Sequence, residues 1–142
     1  MRYVLNSSVA VKWAIPEIDS DKAAGLRDAF RNAVHELLAP DIFPAEVASA
    51  RARAERRGIL PASQGAARLA DVLNTVPLLH PSLPDLLPRA YAIASQGRVW
   101  IFDCLYVALD ERENCQFVTA DDRPVNALQA YFPFVVLLAS LP

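Results

Sequence analysis

Short apolar runs alternate with longer amphipathic stretches along this chain. Tyr3-Val4-Leu5 follows the charged Arg2, ends at Asn6-Ser7-Ser8, and reads as a buried strand closed by a turn. Ser8 to Trp13 reads as a short helix stopped near Pro16. From Asp19 to Leu37 the apolar positions Ala23, Leu26, Phe30, Val34 and Leu37 recur at helical spacing and predict one long amphipathic helix. Leu38-Ala39-Pro40 then reads as a short extended link or small strand. Asp41 is the expected N-cap of a helix that tolerates Pro44 in its first turn, runs through Arg57 and stops at Gly58.

Further on, helices are expected over Pro61 to Asn74, Pro84 to Ser95, Phe102 to Asn114 and Pro124 to Tyr131. Strands are expected over Val76 to His80, Gln116 to Thr119 and Val135 to Leu138. Strands separated by helices predict an α/β fold, with a central, mostly parallel sheet flanked by helices. The adjacent helices Pro84–Ser95 and Phe102–Asn114, with no strand between them, are a local departure from that alternation. No repeat or linker divides the chain, so residues 1–142 form one expected domain, a length that can bury a real core.

Composition adds limits. The hydrophobic fraction of 54% against 21% charged excludes a disordered chain. A net charge of −2 means that any nucleic-acid binding has to come from a local basic patch. Cys104 and Cys115 fall at opposite ends of one expected helix, about 16 Å apart, too far for a disulfide. They read as reduced core thiols of a cytoplasmic protein. His35 and His80 have no partner at zinc spacing and read as structural. The opening residues do not resemble a signal peptide, and the last apolar run, Phe134 to Ala139, is too short to span a membrane.

The candidate chemistry is acidic. In a parallel α/β sheet, ligands bind at the carboxyl ends of the strands. Asn6 follows the first strand and Asp121 follows the strand ending at Thr119. Asp103 begins a returning helix, and Glu46 lies one turn into another. All four positions are expected at the same edge. Clustered carboxylates repel, and a hard divalent cation with oxygen ligands relieves that repulsion. Each residue also has an ordinary reading: Asp103 and Asp121 as helix caps, Asn6 as a turn residue. Glu46 borders the apolar positions Ile42, Phe43, Val47 and Ala50, where a carboxylate needs a partner.

These segments resemble the four motifs of the PIN domain, and specifically of VapC-type toxin ribonucleases of toxin–antitoxin pairs. The opening Tyr3-Val4-Leu5-Asn6-Ser7-Ser8-Val9-Ala10 is similar to the family's start, where Asp usually stands at the place of Asn6. Pro40-Asp41-Ile42-Phe43-Pro44-Ala45-Glu46-Val47 resembles the second motif, Phe102-Asp103-Cys104-Leu105-Tyr106 the third, and Val118-Thr119-Ala120-Asp121-Asp122 the fourth.

The resemblance covers almost the whole chain and implies a PIN-like three-layer fold. It implies an endoribonuclease dependent on Mg2+ or Mn2+, the toxin of a type II system, acting on structured RNA such as transfer or ribosomal RNA. Asn6, Glu46, Asp103 and Asp121 would form the acidic pocket and hold the metal. Ser8, Thr119 and Asp122 would stand behind them. A homodimer and a cognate antitoxin are the implied partners.

An amide at Asn6 removes one of four negative charges and is expected to reduce or abolish activity. An inactivating substitution and a naturally degenerate member both fit it. The second function class is therefore a degenerate PIN module that binds antitoxin or RNA without cutting. A receiver-like signalling domain ranks below both. It expects an acidic pair in the first strand–helix turn and a late lysine, and neither is present.

Arg51, Arg53, Arg56 and Arg57 crowd one helix end. They read either as a solvated terminus paired with Glu55 or as a contact for an RNA backbone. Lys12, Arg89, Arg98 and Arg123 are scattered candidates for the same contact. Trp13, Trp100, Ile101 and Phe102 divide between core and partner interface.

Overall fold

The structure, a computed structural model, describes residues 1–142. Five strands form one all-parallel sheet: β1 (Arg2–Leu5), β2 (Glu36–Pro40), β3 (Leu78–His80), β4 (Gln116–Thr119) and β5 (Val135–Leu137), in the order β3-β2-β1-β4-β5. Seven α-helices flank it: α1 (Ser7–Val11), α2 (Ser20–Arg31), α3 (Phe43–Arg56), α4 (Gly65–Leu73), α5 (Leu87–Gly97), α6 (Ile101–Glu113) and α7 (Asp122–Leu128). The expected α/β class holds, and every sheet pairing is parallel.

The central strands β1 and β4 are apolar on both faces because helices cover both. Val4, Leu5, Phe117 and Val118 are fully buried. Helix α6 packs across β1, β2 and β4, and α5 packs along α6. Its residues from Cys104 to Asp110 are all buried, which explains why its sequence carries no clean amphipathic stripe. Both cysteines are free and buried. No helix is long and apolar enough to cross a membrane.

Several expected boundaries are corrected. The helix expected to reach Leu37 ends at Arg31, Ala33 turns back at φ 57°, and Val34 is left exposed. Glu36 to Leu38 instead pair with Arg2 to Val4. Val34 and Leu37 continue the helical period by coincidence, and the ladder with β1 overrides it. Asp41 does not cap α3, whose N-cap is Ile42 without a side-chain bond. The Asp41 carboxylate instead accepts from the Ser82 amide at 3.1 Å and the Ser82 hydroxyl at 2.5 Å, tying the start of α3 to the turn after β3.

The helix expected from Pro84 starts at Leu87. Leu83, forced toward extended backbone by the following proline, separates it from the turn at Ser82. The stretch from Pro61 divides into a 3-10 turn over Ala62–Gln64 and then α4. Only Leu78–His80 of the expected third strand pairs, and α7 spans Asp122–Leu128 rather than running to Tyr131.

Candidate active site

The strand order reverses direction between β1 and β4, and such a switch point opens a crevice at the carboxyl edge of the sheet. Asn6 and Asp121 leave the two strands there, and the first turns of α3 and α6 bring Glu46 and Asp103 to the same place. All four line one cavity of about 910 Å³. A second hollow, of about 460 Å³ beside Met1, Phe30 and His35, lies where the chain enters β1 and holds no such cluster.

Asn6 is buried at 6% exposure and caps α1: its Oδ1 accepts from the Ser8 amide at 2.9 Å. Its backbone amide donates to the Val118 carbonyl at 2.9 Å, which locks the residue against β4. Asp103 does not cap its helix. The N-cap of α6 is Trp100, without a side-chain bond, so the Asp103 carboxylate remains free to face the cavity. Asp121 does both jobs. It caps α7 by accepting from the Arg123 amide at 3.0 Å, and it lines the cavity.

Glu46 is the best-supported of the carboxylates. The buried Tyr106 hydroxyl donates to its Oε1 at 2.6 Å, and the Ser7 hydroxyl reaches the same oxygen at 3.5 Å. The Tyr106 ring is fixed by stacking on Phe117, at 5.3 Å between centroids. Neither Tyr106 nor Ser7 was among the residues expected at the site. Tyr106 lies three positions after Asp103 on the same helix, which is the signal that points to it.

Ser8 lines the cavity and Thr119 is buried behind it. The Ser8 hydroxyl accepts from the Ala120 amide at 3.0 Å and lies 3.4 Å from the Thr119 hydroxyl, which in turn accepts from the Asp121 amide at 3.1 Å. Together they fix the turn that carries Asp121. Asp122 is exposed and does not line the cavity.

The electrostatics follow from this crowding. Burial pushes the Asp103 carboxyl up to about 6, with further upward shifts from the charges of Glu46 and Asp121 and an opposing one from Arg123. Burial also raises Glu46, against the pull of its hydrogen bonds from Tyr106 and Ser7. Asp121 is lowered, first by its hydrogen bonds from Arg123. The Arg123 guanidinium grips both Asp121 oxygens, at 2.7 to 3.1 Å.

The donors suit a hard divalent cation in kind, since all are oxygens and two carboxyls are destabilised as anions. As arranged, no three acidic, imidazole or thiol groups close around one point. Asn6 contributes no charge, and Asp121 is engaged by Arg123.

The basic candidates separate. Arg53, Arg56, Arg98 and Arg123 line the cavity. Arg51 is corrected: it is 6% exposed, lies 3.7 Å from Glu55 and presents nothing to a ligand. Arg57 is the exposed C-cap of α3, outside the cavity. Lys12 is bound to Glu17, and Arg89 to Glu111. Among the aromatics, the Trp13 indole donates to the Ala23 carbonyl and Ile101 packs on the core, whereas Trp100 and Phe102 are exposed at the cavity wall.

Residues 3–128 match the sequence profile of the PIN domain. The chain belongs to the PIN domain family. The fold is shared with PAE2754 from Pyrobaculum aerophilum, at TM-score 0.70 and 18% identity over 99% of this chain and 85% of that one. It is also shared with VapBC2 from Rickettsia felis, solved bound to a DNA fragment from its promoter, at TM-score 0.66 and 13% identity over 96% and 97%. A comparison with curated proteins by sequence yields no significant match. The PIN domain assignment places the acidic cavity at the carboxyl edge in a family of nucleases.

Proposed function

We propose that this PIN domain is the toxin of a type II toxin–antitoxin pair, built as a divalent-metal endoribonuclease for structured RNA and held at low activity by Asn6. One observation carries the reading. Glu46, Asp103 and Asp121 converge with Asn6 on a single cavity whose rim is lined with arginines, an arrangement that suits a cation below and phosphates above. Asp103, Asp121 and Glu46 would hold Mg2+ or Mn2+, with Asn6 as the weak fourth position. The bound ion would supply an activated water and charge stabilisation for phosphodiester cleavage.

The chain's own residues prepare that chemistry. Tyr106 and Ser7 orient Glu46, while Ser8 and Thr119 fix the turn that aims Asp121. The family resemblance and the shared fold with a VapBC2 complex support a protein antitoxin as partner, and the resemblance supports a homodimer. The same surface suits the second reading, a module that binds antitoxin or RNA without cutting. The Asn6 amide, with its single side-chain oxygen engaged by Ser8, favours that reading for the chain as it stands.

The test compares this chain with Asn6→Asp on a pool of cellular RNA in Mg2+, Mn2+ or chelator. The substituted form is expected to cleave in either metal and to stop in chelator, with this chain slower by at least about tenfold, the loss of one charged ligand being worth at least ~1.4 kcal/mol. If Asn6→Asp binds no metal and cuts no better, the nuclease reading fails and the binding module stands.

A further inference from the structure

Trp100 is 75% exposed, an unusual state for the largest apolar side chain, and it stands in the wall of the acidic cavity. Its backbone is not loose. The Trp100 carbonyl accepts from the Cys104 amide at 3.1 Å as the first turn of α6 forms, and Val99 before it packs against the core. The ring is therefore held out from a fixed stem, three residues from Asp103. Its neighbours Val99 and Ile101 pack against the core, while Phe102 is exposed beside it on the same wall. Its companions on the cavity wall are Arg53, Arg56 and Arg98, and none of the three is in a salt bridge, unlike Arg2, Arg27, Arg89 and Arg112.

Resting on the nucleic-acid reading above, we propose that Trp100 is a stacking platform that selects an unpaired base beside the acidic cavity, with Arg98, Arg53 and Arg56 on the flanking phosphates. A flat aromatic face accepts any base that is out of a duplex, and a base inside a helix has no free face to offer it. The unpaired cations supply the backbone contact that stacking alone lacks. The wall around the ring is mixed, with Phe102 beside it and Arg53, Arg56 and Arg98 unpaired, and those free cations favour a phosphate backbone over an apolar protein contact. Within a structured RNA the preferred target is thus a loop or bulge.

The chain has two tryptophans, and the other, Trp13, is half-buried with its indole bonded inside the fold and outside the cavity. Tryptophan fluorescence therefore reports on Trp100. The intact chain is titrated in chelator with a short single-stranded oligoribonucleotide of mixed sequence and with the same strand in a duplex. Affinities are measured in parallel by anisotropy of the labelled strand. Quenching by the single strand, weaker binding to the duplex, and a loss of about 5- to 100-fold in single-strand affinity on Trp100→Ala are expected, the range that stacking of one base supplies. Trp100→Phe should retain most of the affinity and lose the quenching.

Equal affinity of Trp100→Ala and the parent for the single strand overturns the proposal. So does a dimer that dissociates on Trp100→Ala, because the ring would then be an interface residue. Single-strand binding with quenching but no cleavage by Asn6→Asp leaves the platform standing and removes the nuclease. Cleavage by Asn6→Asp with a KM untouched by Trp100→Ala does the reverse.

Discussion

Asn6 sits where a carboxylate would have one oxygen left over. Its Oδ1 caps α1 through the Ser8 amide, and the atom beside it is an amide nitrogen, a donor that repels a cation. Aspartate at the same place would keep the cap with one oxygen and turn the second toward Asp103 and Glu46. The change from Asn to Asp therefore keeps the cap and alters the cavity most, adding a charge that the neighbouring carboxylates repel until a cation is bound. Tyr106 gives a second prediction at this scale. Tyr106→Phe leaves the Glu46 carboxylate without its shortest donor and should lower stability by about 1–2 kcal/mol at neutral pH, or roughly 2–6 °C in Tm, measured by thermal melting. An unchanged Tm would mean that solvent in the cavity replaces the hydroxyl.

Helix α6 carries both the site and its own weak point. Asp103 opens it at the cavity, and Asp110, two turns later, is 1% exposed with a buried oxygen that meets no partner. Burial pushes the Asp110 carboxyl up to about 8, with the charge of Glu111 adding to it. The folded state therefore holds a proton that the unfolded chain releases near its ordinary value, and stability falls as pH rises between the two. Asp110→Leu should be more stable than the parent by roughly 1–4 kcal/mol at pH 8, with a margin that shrinks as pH falls toward about 4. Urea unfolding at a series of pH values checks this, and a margin independent of pH would show that Asp110 ionises freely in the fold.

At this scale the sequence and the structure part company most clearly at α2 and β2. Nothing between Arg31 and Glu36 is a glycine or proline, so the only local stop to a periodic apolar stripe is the weaker C-cap signal of Asn32. The ladder with β1 supplied the stop. By contrast, Gln116–Thr119 is a short β-rich run between a buried helix and an Asp-rich turn, and its bounds were legible from residue types alone.

Across the whole molecule the charges sort themselves by place. The net charge of −2 hides a cavity with carboxylates at its base and arginines on its rim. Arg53, Arg56 and Arg98 are unpaired there, while Arg51, which a reading by sequence proximity groups with them, turns inward to Glu55. Replacing Arg53, Arg56 and Arg98 singly by alanine should each reduce the salt dependence of single-strand RNA binding, by up to about 0.7 in the log–log slope, and Arg57→Ala should leave it nearly unchanged. Binding titrations across a range of salt concentrations measure this. Equal slopes for all four variants would place the RNA elsewhere.

The alternation of apolar runs with amphipathic stretches, and acidic residues just past strand ends or early in helices, were readable in the chain because they depend on local spacing and on the geometry common to parallel sheets. They were enough for the α/β class and for the four positions that meet at the switch point. What each side chain does there was decided only by folding. Tyr106 reaches Glu46 across 60 residues, Ser8 reaches Ala120 across 112, and Arg123 closes on Asp121 instead of on a distant phosphate. The first two partners are chosen by packing between elements remote in sequence, which no local pattern encodes, and the third is a local pair whose closure depends on how the turn after β4 is held.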